Sequence, residues 1–184
     1  MESMGRKLNN EAIERNKLEI ISLLKSTNRR GIDKVLHYLD GVGFYTAPSS
    51  ITRHHNWRGG LAQHSLGTCR AALERYAGKD RAGVIIATLL HDICKASKLY
   101  YDAEGRIHKR ETRIKGHGYR SVALLRREGL ELTRDEWVAI RWHMGLRNAT
   151  SLEAAEANRS KLRSLVMSSD KHDAARGWRI KCNY

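Results

Sequence analysis

Histidines and aspartates fall at five widely separated points of this chain: His64, the adjacent pair His91-Asp92, His117, His143 and Asp170. Each lies in or beside a stretch that reads as helix. Imidazole and carboxylate in such a mixture suit a divalent metal site that keeps positions open for water and substrate. Only a fold that carries distant helices to one point can use them together, and that requirement constrains the architecture more than any single segment does.

The pattern between these points is helical. Residues 10–26 carry Ile13, Leu18, Ile20, Ile21, Leu23 and Leu24 among charges, an amphipathic spacing, and residues 31–40 follow as a shorter helix with Val35, Leu36 and Leu39 apolar. The run GVGFYTAPSS breaks the pattern, because glycine, proline and paired serines punctuate loops, and RHHNWRGG extends that loop to the next helix. Residues 60–77 and 80–95 read as a helical pair separated by Gly78, with Asp80 as N-cap. Between Ser97 and Lys115 the periodicity fails; paired tyrosines, Gly105 and alternating charge predict a loop or small hairpin, a flap over the site. Helices resume near residue 117. Thr133 with Glu136, and Thr150 with Glu153, have capping-box spacing, so helices are expected to start just after each threonine. The last helix is predicted over 151–170, followed by a short polar tail whose Trp178 and Ile180 pack back as a final turn.

With only one proline, few aromatics and many Leu, Ala, Arg and Glu, the class is all-α rather than sandwich or barrel. A chain of 184 residues that is 41% hydrophobic buries one good core, so residues 1–184 are expected to form a single domain. Cys69, Cys94 and Cys182 are odd in number and have no paired spacing, which points to a reducing compartment, and the chain is expected to be cytoplasmic. MESMGRKLNN has no apolar signal region and no apolar run is long enough to span a bilayer, so neither secretion nor a membrane partner is expected.

A net charge of +14, from 34 Lys and Arg against 20 Asp and Glu, attracts polyanions, phosphates first among them, and makes nucleic acid a possible partner. A solvated cationic face explains such charge equally well, but Arg106, Lys109, Arg110, Arg113, Lys115 and Arg120 crowd the stretch around His117. Adjacent residues on a helix point about 100° apart, so His91 and Asp92 can share a site only near a helix end. Leu89 and Leu90 before them and Lys95 after them fit that position. Asp92 has two oxygens and so can bridge two ions, which a histidine cannot. His143 shares a face with Glu136, Ala139 and Ile140, and Asp170 follows Leu162 and Val166 at intervals of four. Asp173, three residues on, lies on the same face and competes for the role. His37, His108 and His172 have no supporting neighbours and read as ordinary histidines, whereas His54 and His55 lie in the loop before the His64 helix, where substrate-facing residues are expected.

The contexts GGLAQHSL, ATLLHDICK, GHGYRSV, IRWHMG and LVMSSDKHDAA, in that order, resemble the HD-domain metal-dependent phosphohydrolase superfamily over roughly residues 50–175. The His64 and His143 contexts look most like its branch of 3′–5′ exoribonucleases and stand-alone hydrolases. The resemblance implies a helical bundle in which His64, His91, Asp92 and Asp170 hold a first metal and His117 and His143 a second, with Asp92 between. It favours Asp170 over Asp173. It implies one or two divalent ions, with manganese, iron, cobalt, nickel, zinc and magnesium all compatible with the donors. Two positions depart from the pattern: Tyr119 stands where this branch often has an acidic residue, and Ser168-Ser169 replaces a more apolar approach to the final aspartate.

The activity implied is hydrolysis of a phosphate ester of a nucleotide or short single strand by a metal-activated water. Asp92, Lys95 and Arg120 are the candidate catalytic residues, with Lys95 one turn after His91 and set to meet a phosphate oxygen or leaving-group charge. His55, Trp57 and Arg58 join Lys95 and Arg120 as candidate substrate contacts; Trp57 either stacks a base or belongs to the core. Two other readings compete. A diiron oxygenase would use the same ligands to activate oxygen, and a non-catalytic nucleic-acid-binding module would keep binding in chelator.

Overall fold

The computed structural model describes residues 8–102, 104–110 and 116–182, with side chains as far as Arg176. Helix α1 (Asn10–Ser26) is capped by Asn9, whose side chain accepts from the Ala12 amide, and buries Ile13, Ile20 and Leu24. Helix α2 (Ile32–Gly41) follows a left-handed turn at Gly31, φ +92°, where a Cβ would lie 2.2 Å from the Gly129 carbonyl oxygen. Only glycine meets both demands. After a non-helical passage come α3 (Gly60–Arg75) and α4 (Arg81–Leu90), the latter N-capped by Asp80 and buried over nearly all its length.

A short 3₁₀ turn (Ile93–Lys95) then leads into a hairpin of β1 (Leu99–Tyr101) and β2 (Ile107–Lys109). The strands are antiparallel, with Leu99 opposite Lys109 and Tyr101 opposite Ile107. Asp102 shapes the connection by accepting from the Glu104 and Arg106 amides and from the Arg106 side chain. The hairpin is one of the two forms the sequence predicts for this segment, a loop or small hairpin; residues 111–115, with Arg113 and Lys115, lie outside the described residues.

Helices α5 (His117–Arg127), α6 (Arg134–Trp142), α7 (Ser151–Arg159) and α8 (Lys161–Cys182) complete the chain. Both capping boxes form, at Thr133 with Glu136 and at Thr150 with Glu153. Helix α3 packs against α1, α4 and α8, while α6 packs against α4, α5 and α8. Between them Leu61, Leu66, Ile86, Leu89, Leu90, Leu125, Ile140 and Val166 form one apolar core. The protein is therefore an all-α bundle carrying one small hairpin. No helix among the described residues is long and apolar enough to cross a membrane.

The structure differs from the sequence expectation at the C-terminal end. The helix expected over 151–170 is two helices, broken at Ser160, whose backbone is extended. Its hydroxyl accepts from the Arg163 amide at 2.9 Å and donates to Asp135 at 2.5 Å. Serine side chains offer backbone amides this alternative to the helical bond, so one serine ends α7 and caps α8. Beyond residue 170 the expected polar tail is instead the continuation of α8 to Cys182.

Candidate metal centre

The centre begins at two helix ends. Helix α4 stops at Leu90, five residues short of the sequence expectation; His91 caps it, and Asp92 turns away with φ −111° and ψ 15°. This break lets adjacent residues face one point, as a regular helix would not. His143 caps α6 in the same way. Each ring donates its Nδ1–H to the carbonyl three residues back, His91 to Thr88 and His143 to Ile140, both at 2.8 Å. That bond fixes the tautomer and leaves the Nε2 lone pair pointing inward.

The third imidazole sits in the body of α3. His64 Nδ1 is bonded to the Asp173 carboxylate at 2.8 Å, and its Nε2 lies 3.1 Å from Asp170 Oδ1 and 3.9 Å from Asp92 Oδ2. His91 Nε2 is 3.3 Å from Asp92 Oδ2, and His143 Nε2 is 3.7 Å from Asp92 Oδ1. The Nε2 atoms of His64, His91 and His143 and the Oδ1 of Asp92 are all buried without a hydrogen-bond partner. Buried acceptors are rarely left so, and a divalent cation is the species that satisfies this donor set. Ligand atoms of His64, His91 and Asp92, and those of His91, His143 and Asp170, form groups within 4.8 Å.

Five of the six expected ligands thus share one centre. His143 joins His91 and Asp170, whereas His117 lines the same cleft outside these groups, with Nδ1 3.0 Å from an Arg120 nitrogen. A third group, His54, His55 and His64, adjoins the centre. Asp173 is not a rival to Asp170 but its complement: it grips the far side of His64 and lies 3.5 Å from His55 Nε2. Gly67 makes room for it, since a Cβ there would stand 2.0 Å from Asp173 Oδ1. A glycine one turn after His64 was the available signal for that approach.

The electrostatics hold Asp92 in ligating form, whereas His64 keeps a proton that a cation would have to displace. Burial raises the pKa of Asp92, but Lys95 and His91 outweigh it and hold the carboxyl well below its usual range; the Lys95 amine is 2.5 Å from Asp92 Oδ2. Burial is the main force lowering His117 and His54 to about 4 and His55 to about 3, so all three are neutral at pH 7. At His64 burial opposes the charge too, yet Asp170 and Asp173 together raise it to about 9. A cation entering the centre displaces that proton.

The centre forms the floor of a cleft of about 490 Å³. Asp92, His117, His143 and Asp170 face it, and Arg53, Lys95, Lys98, Lys109 and Lys171 supply its positive walls. Ile51, Met144 and Met167 supply apolar surface. Three expected substrate contacts sit elsewhere. His55 is buried behind His64. Trp57 is a core residue whose indole donates to Gln63 at 2.9 Å, and Arg58 turns to Asn10 at 2.8 Å. Large apolar rings gain more from burial than from a wet cleft, and the loop from Ser49 to Gly59 presents His54 instead.

No curated protein and no solved structure matches the chain. A family model described as HD domain matches residues 61–175, a span holding every candidate ligand of the centre together with His117 and Asp173. The chain belongs to the HD-domain family.

Proposed function

We propose that this protein is a metal-dependent phosphohydrolase that cleaves phosphate esters of nucleotides or short single-stranded nucleic acid. The observation that carries the reading is the convergence of three orphaned Nε2 atoms and one orphaned carboxylate oxygen at the base of a cation-walled cleft, with His143 and Asp92 on its lining and His64 and His91 buried beneath. His64, His91, Asp92, His143 and Asp170 would hold a divalent ion, which would supply an acidified water and a Lewis-acid contact for phosphoryl oxygen.

The chain's own groups do the rest. Lys95, at the wall beside Asp92, neutralises charge on a phosphoryl oxygen or leaving group. Arg120 donates to Nδ1 of the neutral His117 ring at the cleft, so the ring carries its proton on Nε2, where it donates to a phosphoryl oxygen. Ile51, Met144 and Met167 offer apolar surface to a base or sugar. The His64 and His143 contexts and the +14 charge support an exoribonuclease-like assignment, and the free, buried thiols of Cys69 and Cys94 suit a cytoplasmic protein.

The test is phosphate and nucleoside release from nucleotides, cyclic dinucleotides and short single strands, with manganese and with chelator. Release in manganese that chelator abolishes is the expected result. Silence across the panel with metal confirmed bound, or oxygen consumption without phosphate release, would overturn the reading.

A further inference from the structure

The turn that carries Asp92 and Lys95 runs on without a break. The Lys95 amide bonds to the Asp92 carbonyl at 2.9 Å and the Lys98 amide to the Lys95 carbonyl at 3.0 Å. The Lys98 carbonyl then accepts from the Arg110 amide at 2.9 Å, extending a ladder in which Leu99 faces Lys109. In this register Lys98 lies opposite Arg110 and Leu99 opposite Lys109, so the two lysines sit at successive rungs, and both line the cleft above the metal centre.

Lys98 is only 8% exposed. Lys95 is ion-paired with Asp92, but among the described residues neither Lys98 nor Lys109 has a carboxylate at ion-pair distance. Burial, then the cations of Arg120 and Lys109, lower the pKa of Lys98. Holding Lys98 under cover beside other cations, with no counter-charge among the described residues, costs free energy that a bound anion removes. A divalent ion would balance Asp92 and Asp170 on the floor, and Lys95 stands beside the group to be cleaved. One phosphate at the metal therefore leaves Lys98 and Lys109 without an anion among the described residues.

We propose that Lys98 and Lys109, set at successive rungs by the hairpin, form a second anion subsite that binds a phosphate adjacent to the one hydrolysed. The substrate then carries at least two phosphates. A nucleoside diphosphate and a 5′-phosphorylated dinucleotide share this chemistry, and the proposal rests on the hydrolase reading for its functional meaning.

Two measurements test it. Steady-state kinetics in manganese compare a nucleoside monophosphate, a nucleoside diphosphate and a 5′-phosphorylated dinucleotide, on the wild type, Lys98→Met and Lys109→Gln. Loss of one charged contact is expected to lower kcat/KM on the preferred two-phosphate substrate about tenfold more than on the monophosphate. Which two-phosphate substrate responds identifies the source of the second group. Calorimetric titration of the metal-stripped protein with pyrophosphate and with orthophosphate reads the subsite without turnover, and each variant is expected to weaken pyrophosphate binding about tenfold. Lys109 is exposed, so its variant keeps the test valid if Lys98→Met fails to fold. Equal losses on all substrates, or pyrophosphate binding indifferent to both lysines, would overturn the subsite while leaving the hydrolase reading intact. Lysine-dependent pyrophosphate binding with no hydrolysis of any substrate would sink the hydrolase reading and leave the subsite.

Discussion

At the scale of single residues, the proposed centre separates side chains that would hold a metal from those that would aim the holders. His91 and Asp92 belong to the first kind, so His91→Ala or Asp92→Ala is expected to abolish turnover and empty the site in a metal analysis. Lys95→Ala is expected to slow turnover with metal retained, and loss of metal in that variant would contradict its assignment to the phosphate. Asp173 belongs to the second kind: it accepts from His64 on the side away from the centre, across the notch at Gly67. Carboxylates in that position typically tune metal affinity by about 10–100-fold. Asp173→Asn is expected to weaken manganese binding by about that factor in a competition titration with a chelating dye. Gly67→Ala, which drives a methyl into the carboxylate, is expected to act in the same direction. Unchanged affinity in both would reduce Asp173 to a packing group.

At the scale of elements, α6 shows how the ligands are held. Its capping-box residue Glu136 is fully buried. Besides the Thr133 amide it receives a two-pronged contact from Arg29, both prongs at 2.8 Å, which ties the α1–α2 connection to the start of the helix that ends at His143. Removing the guanidinium leaves a buried carboxylate without its partner. Arg29→Met is therefore expected to cost about 3 kcal/mol in urea unfolding; a cost below about 1 kcal/mol would mean that water reaches Glu136 in the native state. The capping boxes were legible in the sequence because four consecutive residues contain everything they need. The split between α7 and α8 was not, since Ser160 breaks the helix partly through Asp135, which comes from another helix.

At the scale of the whole molecule, burial sets an alkaline limit. Cys69, in the core between α3 and α4, has its thiol pushed up to about 11, chiefly by burial. Burial likewise pushes Tyr101 up to about 12 and raises Tyr45 further. Groups whose folded pKa is raised hold their protons longer in the native state. The stability they contribute is complete below the unfolded pKa and is lost as pH climbs through the folded one. Thermal stability is thus expected to fall between about pH 9 and 11, and less steeply in Cys69→Ala, as differential scanning fluorimetry across that range would read. An identical slope in the variant would place the decline on the tyrosines.

By itself the sequence determined the helical class, most helix starts, the hairpin segment and the order of the ligand motifs, because each depends on spacing within a few residues. The helix end that presents His91 and Asp92 together was foreseeable for the same reason. The family resemblance already favoured Asp170 over Asp173, but only the tertiary structure decided that Asp173 backs His64, and that His143 joins His91 while His117 stands apart. It also decided that Trp57 enters the core and His54 the cleft. Local spacing sets a side chain's direction relative to its own helix, but which neighbour that direction meets depends on how distant helices cross. Here those crossings are set by close approaches at glycines such as Gly67 and Gly118, where a Cβ would stand 2.0 Å from Asp173 Oδ1 and 2.2 Å from the Arg141 carbonyl oxygen.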